Sequence, residues 1–131
     1  MIAMKASEIA QVIGGELHGS DIEITARAFL ASNQCSEGSI FLAIRGEKVD
    51  GHDFVADAFA HGAVLAITSK VVVERCIVVP DVTVAIGALA GHIRQQLKNL
   101  TVIGITGSQG KTTTKELLAA VLSSKAETVS P

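Results

Sequence analysis

The chain has 131 residues, of which 48% are hydrophobic and 18% charged, with a formal net charge of −2. That length holds one ordinary domain, or a small domain plus the start of another. A near-neutral balance with four Phe and no Trp or Tyr excludes the basic, base-stacking surface that nucleic-acid binding requires.

Ala, Val, Ile and Leu dominate the apolar residues, alongside 12 Gly. This is the composition of an α/β protein, whose parallel strands are buried on both faces and read as short aliphatic runs. A helix is predicted over about Ala6 to Ile13, with Ile9, Val12 and Ile13 on one face and Gly14-Gly15 as its stop. "IEITA" (22–26) alternates like a half-exposed strand, and "SIFLAI" (39–44) reads as a more buried one. "DGHDFVADAFAHGA" then predicts a short helix with Asp53 as N-cap. Phe54, Val55, Ala58 and Phe59 form its inner face, and Gly62 ends it. "AVLAIT" (63–68) and "CIVVP" (76–80) are two further strands.

Pro80-Asp81 is the clearest break, and it places a domain boundary near residue 80, giving a small α/β unit over 1–80 and a second region over 81–131. Past it, Ile86, Leu89, Ala90, Ile93, Leu97 and Leu100 recur at helical spacing. "TVIGI" (101–105) predicts a strand, and a helix follows from about Lys111 to Ser124 with Leu117, Leu118, Val121 and Leu122 as its buried stripe. One strand between two amphipathic helices cannot pair its own edges. The second region is therefore expected to be the opening of a larger sheet domain.

Cys35 and Cys76 stand far apart with no C-x-x-C pairing, which favours two reduced, buried thiols over a disulfide framework. No run approaches the roughly 18 apolar residues of a membrane span, and "MIAMKASEIAQVIGG" is too polar for a signal peptide. A soluble, intracellular protein is the expectation.

"GITGSQGKTTTKE" (104–116) carries the chemistry. Counted as G-x-x-x-x-G-K-[ST], it has Ile105 where the first glycine stands. The rest suits a phosphate cradle. Gly107 and Gly110 free the backbone, so that N–H groups of Gly107, Ser108, Gln109 and Gly110 can converge on an anion. Lys111 can reach between the β- and γ-phosphates of a nucleotide, and the Thr112 hydroxyl is placed to ligate Mg²⁺. The competing reading is a Gly/Ser/Thr loop that leads into an N-capped helix with Lys111 merely solvated.

The same stretch resembles the nucleotide-binding segment of the Mur ligases, whose loop opens T-G-[ST] and lacks the first glycine of the general motif. A second segment, "GSIFLAIRGEKVDGHDFVADAFAHGA" (38–63), is similar to the family's N-terminal domain pattern G-x-[LI]-F-x-A-[LI]-x-G-E-x-x-D-G-H-D-F. The opening "SEIAQVIGGEL" fits as well. Together these cover essentially the whole chain. Ser108 and "TTTKE" (112–116) look most like the member that adds D-alanyl-D-alanine, with the third-residue-adding member as the nearest alternative. A non-catalytic module that binds a UDP-sugar is another. A generic P-loop kinase or switch would add a longer parallel sheet and an acidic metal ligand.

The resemblance implies a small N-terminal Mur-ligase-type α/β domain that binds a UDP-sugar, followed by the first strand, P-loop and helix of an ATPase domain. It implies a cytoplasmic enzyme of peptidoglycan precursor synthesis, monomeric at full length. That enzyme would join UDP-N-acetylmuramoyl-tripeptide to D-alanyl-D-alanine through an acyl phosphate, using ATP and Mg²⁺. Lys111 would stabilise the transferring phosphoryl group, Thr112 would hold the metal and Thr113 would add a hydroxyl near the α- or β-phosphate. Further metal ligands and a carbamylated lysine are expected beyond Pro131, so the chain alone is expected not to ligate.

Ser32, Gly46, Glu47 and His52 are the candidate UDP-sugar residues on the same ground. The family usually carries Asp-[ST]-Arg ahead of the glycine at Gly38, and Ala31-Ser32-Asn33 retains only the hydroxyl residue. For His52 the reading as part of a turn stands ahead of substrate contact. His18, His61 and His92 have no metal-type neighbours in sequence.

Overall fold

A computed structural model describes residues 2–131 of the chain. They divide into two compact units, one ending at Lys98 and the other running over Asn99–Pro131.

The first unit is built on a five-stranded sheet. Its strands are β2 (Glu16–His18), β4 (Ala28–Phe29), β5 (Ser39–Leu42), β6 (Ala63–Thr68) and β7 (Cys76–Val78), in the order β2-β7-β6-β5-β4. All neighbours are parallel except β2 and β7, which pair antiparallel with Leu17 opposite Ile77. A separate antiparallel pair joins β1 (Met4–Lys5) to β3 (Glu23–Ile24). The helices of this unit are α1 (Ala6–Ile13), α2 (Val55–Ala60) and α3 (Val82–Gln96).

Strand alternation divides the apolar side chains between two faces. Ile40 and Leu42 of β5, Leu65 and Ile67 of β6 and Ile77 of β7 pack with Ile9 and Ala10 of α1 and with Val82, Ala85 and Leu89 of α3. Phe41, Ala66 and Cys76 belong to a second cluster with Val55 and Ala58 of α2. The sheet is thus covered on both faces, which is why its central strands read as unbroken aliphatic runs. The α/β class is the one expected.

Several expectations shift in detail. The compact unit runs past Pro80 to Lys98, because Asp81 starts α3 and Val82, Ala85 and Leu89 bury themselves in the first core. Pro80-Asp81 therefore punctuates a helix start. Ala90, Leu97 and Leu100, placed on the apolar stripe by their spacing, are exposed. Asp53 does not cap α2. A 3₁₀ turn over Gly51–Phe54 precedes that helix, and Asp50 caps the turn by accepting the His52 N–H. Phe54 is 43% exposed rather than inward-facing.

In the second unit, residues 101–105 form no strand, and α4 (Lys111–Ser123) is the one helix. A strand exists only through ladder hydrogen bonds to a neighbour, and Asn99–Pro131 provides none. Leu117 and Val121, expected to be buried, are 65% and 66% exposed, while Leu118 and Leu122 are half-buried.

Candidate functional site

The loop before α4 has a conformation its glycines require. Gly110 is the N-cap of α4 at φ +74°, and Gly107 sits at φ +150°. Both values lie where an L side chain is strained. A Cβ on Gly110 would meet nothing within 4 Å, so backbone conformation, not crowding, demands glycine at that position.

No side chain caps α4. The Gly110 carbonyl accepts the Thr114 N–H at 2.9 Å, so the N–H groups of Lys111, Thr112 and Thr113 in the first turn are left without intrahelical acceptors. Those donors and the positive end of the helix dipole make an anion-seeking surface. Ser108, Gln109, Lys111, Thr112 and Thr113 are all exposed. Among the described residues no acidic side chain is ion-paired with Lys111. Free amides, an unpaired ammonium and adjacent hydroxyls form a donor set that fits a polyphosphate and its magnesium ion.

The first unit carries a concavity of about 870 Å³. It is lined by Leu30, Ala31, Ser32 and Asn33, by Phe41, Leu42 and Ile44 at the end of β5, by Gly46, Val49 and Gly51 in the loop that follows, and by Phe54 and Asp57. Ser32 lies in a 3₁₀ turn, Ser32–Gln34, closed by the Cys35 N–H donating to the Ser32 carbonyl at 3.1 Å. Of the four sequence candidates for a sugar-nucleotide site, Ser32 and Gly46 line this concavity. Glu47 is exposed outside the lining, and His52 is 6% exposed and also outside it.

His52 is held on both ring nitrogens. Its Nδ1 lies against Asp50 Oδ1, and its Nε2 accepts the Ser69 backbone N–H at 2.9 Å, with Ser69 Oγ at 3.1 Å. The His52 N–H and ring hold the Asp50 carboxyl below the usual carboxylate range. Burial pushes the Cys35 thiol up, opposite to what a reactive cysteine needs. Among the described residues, no three His, Cys, Asp or Glu side chains cluster to hold a metal, and no helix is long and apolar enough to cross a membrane.

Sequence reasoning missed Leu30, Val49, Phe54 and Asp57 as lining residues. A partial signal existed in Val49, an apolar residue set among Glu47, Lys48 and Asp50, which is 56% exposed. Among the described residues, Asp57 is the only charged side chain in the lining, and its place on α2 carries no sequence mark of that.

Comparison with known proteins bears on both sites. The model of the Mur ligase family, catalytic domain, matches residues 28–121. The chain is 37% identical over 125 residues to the UDP-N-acetylmuramoyl-tripeptide–D-alanyl-D-alanine ligase of Escherichia coli, covering 94% of this chain and 27% of that one. It is 35% identical to the ligase of the same name from Mycobacterium bovis, covering 100% of this chain and 31% of that one. The crystal structure of MurF from Acinetobacter baumannii superposes with a TM-score of 0.83 at 37% identity, over 95% of this chain and 28% of that one. MurF ligase from Thermotoga maritima, in complex with ADP, gives 0.64 at 40% identity, over 77% and 24%. The chain thus spans 27% to 31% of the length of these two curated relatives.

Proposed function

Because the chain belongs to the Mur ligase family, we propose that it supplies the sugar-nucleotide domain and phosphate loop of an ATP-dependent ligase of peptidoglycan precursor synthesis. In this reading the enzyme is cytoplasmic and joins UDP-N-acetylmuramoyl-tripeptide to D-alanyl-D-alanine. One observation carries the proposal: Gly107 and Gly110 hold the loop in backbone conformations that suit glycine, with Lys111 and Thr112 opening an uncapped helix directly after it.

The reaction forms a bond between the terminal carboxylate of the tripeptide and the γ-phosphorus of ATP, releasing ADP. The dipeptide amine then displaces phosphate from the acyl phosphate and loses a proton to give the amide. Such phosphoryl transfer needs alignment and charge neutralisation more than covalent help from the protein. The Lys111 ammonium neutralises charge on the transferring group. Gly107, Ser108, Gln109 and Gly110 direct backbone N–H groups at the phosphates, and Thr113 adds a hydroxyl. Thr112 would hold Mg²⁺, which when bound offsets charge on the β- and γ-phosphates.

The concavity takes part of the UDP-sugar. Among the described residues its lining has one charged group, the acid Asp57, which repels rather than neutralises a diphosphate. An uncharged part of the ligand therefore sits against Leu30, Ser32, Asn33 and Phe54.

The test uses a ligase of the relatives' length that carries this chain. Turnover with UDP-N-acetylmuramoyl-tripeptide and D-alanyl-D-alanine, and none with the UDP-dipeptide and a diamino acid, is expected. The reverse preference reassigns the chain to the third-residue-adding reaction. Lys111→Ala is expected to reduce turnover by at least about a hundredfold with an unchanged circular dichroism spectrum. Near-native turnover in that variant overturns the phosphate-loop assignment.

A further inference from the structure

The loop and 3₁₀ turn over residues 46–54 contribute Gly46, Val49, Gly51 and Phe54 to the concavity. This stretch closes largely on itself. The Gly46 N–H donates to the Val49 carbonyl and the Gly51 N–H to the Ile44 carbonyl, each at 2.9 Å. The second bond brings the backbones so close that a Cβ on Gly51 would lie 2.6 Å from the Ile44 oxygen.

Among the described residues, the hydrogen bonds from 46–54 to the segment leaving β6 are those of His52 to Ser69. A backbone N–H can only donate, so the Ser69 N–H requires a lone pair on Nε2, and the neutral ring then carries its proton on Nδ1, facing Asp50. The imidazole spans the gap between the Asp50 carboxylate and the end of β6 with a fixed tautomer. It touches both anchors and does not line the concavity.

We propose that His52 is a positioning residue for the sugar-nucleotide site: its unprotonated Nε2, by accepting from Ser69, holds the Gly46–Phe54 wall in the shape the ligand meets. The inference rests on the reading of the concavity as the UDP-sugar site. It assigns His52 an effect on affinity without ligand contact.

The two amide replacements of histidine separate this role from simple core filling. The amide of glutamine reaches the place of Nε2 and offers an oxygen acceptor to Ser69, whereas the shorter amide of asparagine replaces Nδ1 and leaves the Ser69 N–H unpaired. The experiment titrates the 131-residue chain with UDP-N-acetylmuramoyl-tripeptide by calorimetry, as native protein, His52→Gln and His52→Asn. His52→Gln is expected to bind within about twofold of native and His52→Asn about tenfold more weakly, with the native circular dichroism spectrum in both.

A folded His52→Asn that binds like native overturns the proposal, as does a His52→Gln as weak as His52→Asn. Absence of binding by the native chain overturns the reading of the concavity itself, and the inference with it. If neither variant folds, long-range ¹⁵N correlation spectra of the native chain decide: a bare Nε2 with protonated Nδ1 supports the assignment, and a protonated Nε2 overturns it.

Discussion

Asp21 shows how one side chain can link local structure to acid stability. Its carboxylate accepts the Ser7 N–H and the Ser7 hydroxyl, both at 2.8 Å, tying the first turn of α1 to a residue 14 positions away. The Ser7 N–H, then the Ser7 hydroxyl, hold the Asp21 carboxyl below its ordinary value, with a smaller contribution from Lys5. A folded-state pKa below the unfolded one means that the unfolded chain binds the proton more readily. The stabilisation is therefore present above about pH 4 and lost as pH falls through the folded value. Asp21→Asn is expected to lower stability at neutral pH and to flatten the loss of stability below about pH 5. Urea midpoints measured across that range check it, and an unchanged acid slope counts against the assignment. Asp50, depressed by the His52 N–H, contributes with the same sign.

Among the elements, α3 is where sequence and structure part most instructively. Its periodicity is helical and a helix forms, yet the residues it buries are Val82, Ala85 and Leu89, while Ala90 and Leu97 are exposed. The helix start is set by Asp81, which accepts the Thr83 N–H at 2.8 Å and the Val84 N–H at 3.1 Å. Asp81→Ala removes that cap and is expected to cost about 1 kcal/mol, seen as a fall in Tm of about 4–8 °C for a domain of this size. A smaller shift than about 2 °C would mean that α1 and the sheet hold α3 without its cap. In α4 the position of Gly110 does the corresponding work, since its left-handed φ turns the chain into the helix without a side-chain cap.

At the scale of the whole molecule the two units differ in what holds them. The first has helices on both faces of a sheet, with Ile40 of β5, Leu65 and Ile67 of β6 and Ile77 of β7 at zero exposure. The second has no buried residue in its helix. Local opening costs least where few apolar contacts are lost. Native-state hydrogen exchange is therefore expected to give the slowest amides in β6 and much faster ones throughout α4, in the absence of ligand. Equal protection of the two elements would refute that ranking.

Sequence by itself determined the α/β class, the limits of α1 and β6, and the start of α4 at Lys111, because each depends on short-range chemistry. A glycine stop, an aliphatic run of strand length and a G-K-T turn act within a few residues of themselves. The short strands β1, β2 and β4 escaped notice because two or three residues carry no periodicity, and only their partners in the sheets define them. Tertiary structure alone decided that α3 belongs to the first unit, that Phe54 faces outward, and that Ser32, Gly46 and Asp57 share one concavity. It also removed His52 from the lining and placed it behind the wall, between Asp50 and Ser69. Such juxtapositions join residues many positions apart, and packing of the whole sheet, not any local preference, brings them together.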